Sequence, residues 1–210
     1  MKKKGDRMSK FLLTITGPSG SGKTTMMKEL ENKFNVHRII TSTTRQPRKG
    51  EKDGRDYYFM NMDDYCTSTM IAPVCFSGNY YGIDVNMLDK QLAEHDVCAI
   101  IIEPQGAKML RESAGFIRAN GVTVKSLYID TDPKFALNHM ARRDGFKKAR
   151  ERQKADFDSG MYVDGLFEVI KDYDCILKND RNTTPAKLAY DAACFIEAVI
   201  MESKIAKKVA

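Results

Sequence analysis

A three-layer α/β fold, with helices on both faces of a mostly parallel sheet, is what this 210-residue sequence predicts. Three features carry that expectation. Strand-like and helix-like runs alternate along most of the chain. The run Val97-Cys98-Ala99-Ile100-Ile101-Ile102 is apolar without a break, the pattern of a strand buried on both faces. Between an apolar run and a helix-spaced run, Gly17 to Thr24 forms a glycine-rich turn.

The first element is a short buried strand, Phe11-Leu12-Leu13-Thr14-Ile15-Thr16. Thr24 to Phe34 follows as a helix, with Met26, Met27, Leu30 and Phe34 at helical spacing. His37-Arg38-Ile39-Ile40-Thr41 reads as a second strand. A polar stretch from Ser42 to Asp56, carrying Pro47, Gly50 and Gly54, leads to the aromatic Tyr57-Tyr58-Phe59. Asn86 to His95 reads as a helix, Gln105 to Ser113 as another, and Val122 to Ile129 as a strand. Asp132-Pro133 opens a further helix, with the acid at the N-cap and proline in the first turn. Arg142 to Gly160 is charge-rich and nearly devoid of aliphatics. Asp174-Cys175-Ile176-Leu177-Lys178 is the last strand, and Thr184 to Glu202 the last amphipathic helix. No internal repeat or low-complexity tract interrupts this order. Residues 41–90 and 142–160 stand outside the alternation and read as flaps inserted into one domain.

Composition narrows the class. Hydrophobic residues make up 42% of the chain, enough for a buried core and too many for disorder. No apolar run is long enough to cross a bilayer, and the first seven residues are largely charged, without an apolar signal core. Met8 offers an alternative start that would leave those seven as a leader. The five cysteines are scattered without a C-x-x-C pair, and three of them sit in apolar runs that read as core thiols. The three histidines show no zinc spacing. A reducing, cytoplasmic setting is expected. The net charge of +6 has two readings: a nucleic-acid partner, or cations gathered around phosphorylated substrates with lysine-rich tails adding to the count. The second is favoured because no basic stripe interleaved with aromatics appears. Neither a nucleic-acid nor a membrane partner is expected.

Gly17-Pro18-Ser19-Gly20-Ser21-Gly22-Lys23-Thr24 fits the phosphate-loop pattern G-x-x-x-x-G-K-S/T at every fixed position, in the strand–loop–helix setting the motif needs. Glycines let successive backbone N–H groups converge on one phosphate chain, and the helix N-terminus adds partial positive charge. Gly17, Ser19, Gly20, Ser21, Gly22, Lys23, Thr24 and Thr25 are the expected ATP-binding set. Lys23 is the expected catalytic cation on the β- and γ-phosphates, and the Thr24 hydroxyl the expected ligand of Mg²⁺. A nucleoside triphosphate is the expected ligand.

Downstream, Thr41 to Phe59 places Arg45 and Arg48 three apart, held by Pro47 and followed by Tyr57. Guanidinium forks and phenol hydroxyls suit a monophosphate dianion. Here the chain resembles the guanylate kinase family, through the phosphate loop, the run Thr43-Thr44-Arg45-x-Pro47-Arg48-x-Gly50-Glu51-x-x-Gly54-x-x-Tyr57-x-Phe59, and Gly78-Asn79-Tyr80-Tyr81-Gly82. The resemblance continues through Gln105-Gly106, the arginine-rich stretch and Tyr173-Asp174…Asn179-Asp180. It implies a P-loop NTPase fold in one domain over 1–210, with a core (8–40, 91–141 and 161–202), a monophosphate-binding part (41–90) and a lid (142–160). It implies ATP with Mg²⁺ as donor and a nucleoside monophosphate as acceptor, and leaves monomer and homodimer open. Arg45, Arg48, Tyr57 and Tyr81 would hold the acceptor phosphate, and Asn179 would lie near the adenine. Arg142, Arg143, Arg150 and Arg152 are the lid candidates for neutralising the transferring group.

The base-reading positions depart from the family. Where its members carry a glutamate that reads guanine N1 and N2, nine residues before the second tyrosine of the G-N-Y-Y-G run, this chain has Ala72 followed by Pro73. Where they carry a serine or threonine facing O6, it has Ile83; Thr41 stands at an earlier serine and keeps a hydroxyl. The family's D-x-D pair corresponds to Ile101 and Glu103, so one carboxylate near Mg²⁺ is missing while Glu103 can still meet a base or ribose. A hydrogen bond to a charged group contributes roughly 1.5–3 kcal/mol, so losing the glutamate costs guanine about one to two decades in kcat/KM. A slipped alignment would instead assign the carboxylate to Asp63 or Asp64, but the intact run from Cys75 to Gly82 argues for the first register.

The leading expectation is a nucleoside monophosphate kinase whose apolar Ala72/Ile83 wall suits a pyrimidine, on ribose or deoxyribose. Its rivals are an ordinary GMP/dGMP kinase, a sugar-phosphate kinase, and a non-catalytic interaction module; the intact Lys23 and Thr24 argue against the last.

Overall fold

β1 (Lys10–Thr16) lies at the centre of a five-stranded, all-parallel sheet in the computed structural model, which describes residues 10–48, 50–76, 78–112, 121–158 and 173–209. β7 (Val97–Ile101) pairs along one side of β1 and β8 (Val122–Thr131) along the other. β2 (His37–Arg38) lies outside β7, and β9 (Cys175–Asn179) outside β8. The proposed leader, Lys49, Ser77, Ser113, the end of the expected lid (159–160) and the core stretch 161–172 lie outside the described residues.

The strand alternation of β1 divides the core in two. Phe11, Leu13 and Ile15 meet Met26 and Leu30 of α1 (Lys23–Phe34) and Leu188, Ala192 and Ile196 of α7 (Pro185–Val209). Leu12 points the other way, toward Leu88 and Leu92 of α3 (Val85–Glu94) and Ala107 and Leu110 of α4 (Pro104–Glu112). Burial on both faces explains why β1 and β7 read as unbroken apolar runs. α5 (Pro133–Asp144) starts as expected, with the Asp132 carboxylate accepting the Phe135 N–H at 2.9 Å.

A second, four-stranded sheet, ordered β4-β3-β6-β5, is built from the inserted segment: β3 (Ser42–Thr43), β4 (Tyr58–Phe59), β5 (Met70–Phe76) and β6 (Asn79–Asp84), with α2 (Met62–Thr67) between β4 and β5. The expected strand from His37 to Thr41 is therefore cut to its first two residues. β2 stops at Arg38 because the buried Gln91 amide takes over pairing: its oxygen accepts the Ile40 N–H at 2.9 Å, and its nitrogen donates to the Ile40 carbonyl at 3.4 Å. Released there, the chain enters the second sheet at Ser42.

The charge-rich stretch proves helical. Gly145, at φ +82°, ends α5, and α6 (Phe146–Asp158) follows directly. Only Cys98 among the cysteines is fully buried, and burial pushes its thiol up to about 12; Cys175 is half-buried, and Cys66, Cys75 and Cys194 are exposed. The expectation of three core thiols is corrected: an apolar neighbourhood in sequence does not decide which face a cysteine occupies.

Leu13 has no exposed surface at the middle of β1. Leu13→Ala should lower the unfolding free energy by about 2–5 kcal/mol, whereas Lys28→Ala on the exposed side of α1 should change it by less than about 0.5 kcal/mol. Urea denaturation of the two variants measures both.

Candidate active site

The glycine-rich turn leaves the C-terminal end of β1 and runs into α1 through three glycines at positive φ: Gly17 at +152°, Gly20 at +81° and Gly22 at +92°. Space as well as torsion demands them. A Cβ on Gly20 would lie 2.5 Å from the Ala136 carbonyl oxygen, and one on Gly22 would lie 2.9 Å from Asn179 Nδ2. Asn179, at the end of β9, donates through that nitrogen to the Ser21 carbonyl at 2.8 Å and accepts Thr131 Oγ1–H on its own carbonyl at 2.6 Å. The side chain expected near an adenine is thus a buried brace behind the loop.

Lys23 folds back over the turn, donating to the carbonyls of Gly17 at 2.6 Å and Pro18 at 2.8 Å. Burial draws its ammonium down from 10.5 to about 8; the Asp156 carboxylate opposes that shift and the Arg152 guanidinium reinforces it. The Ser21 hydroxyl is buried without a hydrogen-bonding partner. Thr24 and Thr25 present exposed side chains in the first turn of α1. A tight glycine turn at a helix N-terminus, a desolvated cation and an orphaned hydroxyl fit a polyphosphate.

α6 closes on this loop. The Ser19 backbone N–H donates to Asp156 Oδ2 at 2.7 Å, and Ser19 Oγ donates to Oδ1 at 3.1 Å. Arg152 lies one turn earlier on the same face. Arg152 and Arg143 both pair with Asp144, at 3.1 and 2.7 Å, and Arg150 stacks over Phe146 at 4.7 Å. Of the lid arginines, Arg152 is the one whose charge reaches Lys23; Arg142 is exposed on α5.

The second sheet brings Arg45, Tyr57 and Tyr81 together. Arg45 sits 5.5 Å over the Tyr57 ring, and the Tyr57 and Tyr81 rings meet edge-on at 6.1 Å. Arg45 Nη2 also forks onto both Glu51 oxygens at 3.0 Å, and Glu51 accepts the Arg48 N–H at 2.7 Å. Partial burial would lower the Arg45 pKa, but hydrogen bonds and charge from Glu51 and Tyr81 outweigh it and raise it. Burial pushes the Tyr57 phenol up, Tyr81 adds to that, and Arg38 at the end of β2 works against it. Thr41 supplies a backbone carbonyl to Tyr58 N–H at 2.9 Å.

The expected base-reading positions fall on β5, β6 and the start of α4. β5 and β6 pair Ile71 with Ile83 and Val74 with Tyr81, leaving Ala72 and Pro73 as a bulge. Proline has no ladder donor, and Ala72 takes φ +51° there. Asp63 and Asp64 lie exposed in the first turn of α2. Ala72 and Ile83, 4% and 2% exposed, pack in the cluster that holds Leu12, Leu88 and Ile100. Glu103 precedes α4: burial raises its pKa, and the backbone N–H groups bonded to it, that of Gly106 among them, oppose that rise. Ile101 ends β7, partly buried against the core cluster of α1 and α7.

Three contributors went unassigned in the sequence: Asp156, Glu51 and Arg38. Glu51 was visible as a carboxylate three residues from Arg48, and Asp156 as one helical turn from Arg152. Neither spacing says which cation or N–H the acid would meet.

Lys23 should titrate near 8 in the ligand-free protein, and Asp156→Asn should move it lower by removing a supporting negative charge. An unfolded lysine holds its proton to about 10.5, so this group makes folding more favourable as pH rises from about 8 to 10.5. Lysine side-chain NMR reads the midpoint; a value near 10.5 would contradict the desolvated site.

Comparison with known proteins gives a consistent answer. The family model described as guanylate kinase matches residues 9–189. A guanylate kinase of Dechloromonas aromatica is 30% identical over 205 residues, covering 90% of this chain and 98% of that protein. One from Prochlorococcus marinus is 35% identical over 108 residues, 49% of this chain and 59% of that protein, and several such relatives are matched over little more than half their length. A guanylate kinase crystal structure from Anaplasma phagocytophilum superposes with a TM-score of 0.61 at 23% identity, covering 93% of this chain and 88% of that one, and shares the fold. With a family match running from before the phosphate loop to past Asn179, the chain belongs to the guanylate kinase family.

Proposed function

We propose that this chain is a nucleoside monophosphate kinase, moving the terminal phosphoryl group of ATP onto the phosphate of a nucleoside monophosphate to give a diphosphate and ADP. The observation that carries this reading is a pair of anion-reading elements, each engaged by a carboxylate of the chain itself: the phosphate loop by Asp156 and Arg45 by Glu51.

The loop N–H groups and Lys23 hold the donor phosphates, and their charge is stabilising where negative charge builds in the transfer. Arg45, Arg48, Tyr57 and Tyr81 hold the acceptor phosphate, already an anion, so no general base is required. Arg152 on α6 is the lid cation best placed to join Lys23. Closure of α6 and the second sheet would exclude water that otherwise intercepts the phosphoryl group. Thr24 is the residue that would hold Mg²⁺; among the described residues no group of three or more His, Cys, Asp or Glu is placed to hold a metal. Bound there, the ion would offset negative charge on the phosphates.

GMP is the acceptor named by the relatives, and guanine nucleotides are the first reading of specificity. A second reading, an acceptor other than guanine such as a pyrimidine nucleotide, rests on residue type: neither Ala72 nor Ile83, aligned with the family's guanine-reading positions, carries a group able to pair with guanine N1, N2 or O6.

ADP formation with Mg·ATP across ribo- and deoxyribonucleoside monophosphates tests the function. Turnover of at least one of them is expected; the highest kcat/KM for GMP or dGMP selects the first reading, for a pyrimidine nucleotide the second, and no turnover across the panel refutes both. Lys23→Ala should reduce kcat by ~10²-fold or more in a protein of unchanged fold, and retention of more than about a tenth of activity would remove its role. Arg45→Ala should weaken every acceptor to a similar degree, because all share the phosphate; a loss confined to one base would move Arg45 into base recognition.

A further inference from the structure

Asp156 holds the phosphate loop with both carboxylate oxygens, one on the Ser19 backbone N–H and one on the Ser19 hydroxyl. It belongs to α6, which packs through the buried Ala149 and carries the exposed Arg152 one turn before Asp156. Gln153 donates to the Pro133 carbonyl at 2.7 Å and fastens α6 along the start of α5. The two helices meet at Gly145, whose φ of +82° favours glycine. The contact to the loop is charge-assisted and short, and the Ser19 N–H has one hydrogen to give.

We propose that Asp156 is an internal competitor of the phosphate donor, held by Ser19 while the loop is empty and expelled when a polyphosphate takes the loop's donors. The carboxylate and the phosphates carry the same sign and call on the same N–H groups, so they do not share the loop. Donor binding then exchanges the Asp156 contact for the phosphates and leaves Arg152, one turn away, as the lid charge on them. Asp156 thereby sets donor affinity. This inference rests on the phosphate loop binding a nucleoside triphosphate.

The test is calorimetric titration of the full chain with Mg·ATP and, separately, inorganic tripolyphosphate, for wild type, Asp156→Asn, Asp156→Ala and Asp156→Glu, each checked for an unchanged melting temperature. Asp156→Asn and Asp156→Ala should bind both ligands about tenfold more tightly, about 1.4 kcal/mol, because the competing state is lost. Asp156→Glu keeps the charge and should stay within about threefold of wild type. Unchanged or weaker binding in folded Asp156→Asn and Asp156→Ala would overturn the competitor while leaving the kinase reading intact. Absence of ATP and tripolyphosphate binding in all four proteins would overturn the phosphate-loop reading, and the competitor with it.

Discussion

Everything at the centre of this molecule depends on exposing a row of backbone N–H groups at the end of β1 without letting the chain collapse over them. Gly20 and Gly22 take left-handed conformations and lie where a Cβ would strike the Ala136 carbonyl or the Asn179 amide. The supports of the turn therefore come from far along the chain: α5 packs against it, and Asn179 at the end of β9 holds the Ser21 carbonyl. The parallel order, with β1 between β7 and β8, brings these distant segments to one edge. The apolar layers of α1 and α7 on one face and α3 and α4 on the other keep that edge rigid. Fold and site are one arrangement here, since loosening the sheet order would remove the brace from the loop.

The charge distribution follows from the same constraint. Cations and N–H groups assembled for anions must be satisfied when no anion is bound, and this chain satisfies them internally. Glu51 occupies Arg45 through a bidentate fork, Asp144 gathers Arg143 and Arg152, and Asp156 takes Ser19. Lys23 shows the alternative: its ammonium is met by carbonyls rather than a close carboxylate, and burial lowers its pKa to about 8. Carboxylates placed this way keep a strongly cationic site from being left unpaired.

Much of this was legible in the sequence, for identifiable reasons. The phosphate loop, β1, β7 and α5 are set by local signals, namely glycine spacing, unbroken apolar runs and an Asp-Pro start, and each falls within one or two residues of expectation. The division of His37–Thr43 between two sheets was hidden, because it depends on a side chain fifty residues away, Gln91, pairing with Ile40. The fates of Ala72, Ile83 and Glu103 were hidden for a similar reason. Alignment places a residue along a strand, but burial and the bulge at Pro73 decide whether its side chain meets a ligand, the core or a helix end. Asp156 and Glu51 were visible as acids near arginines, yet only the folded chain reveals the partners they select.

If a phosphoryl group passes from the loop to an acceptor held by Arg45 and not to water, label from γ-³²P-labelled ATP, given with Mg²⁺ and a mixture of nucleoside monophosphates, should appear on a nucleoside diphosphate, with little released as inorganic phosphate. Label recovered only as inorganic phosphate, or remaining on ATP, would show that the loop and Arg45 do not work together in transfer.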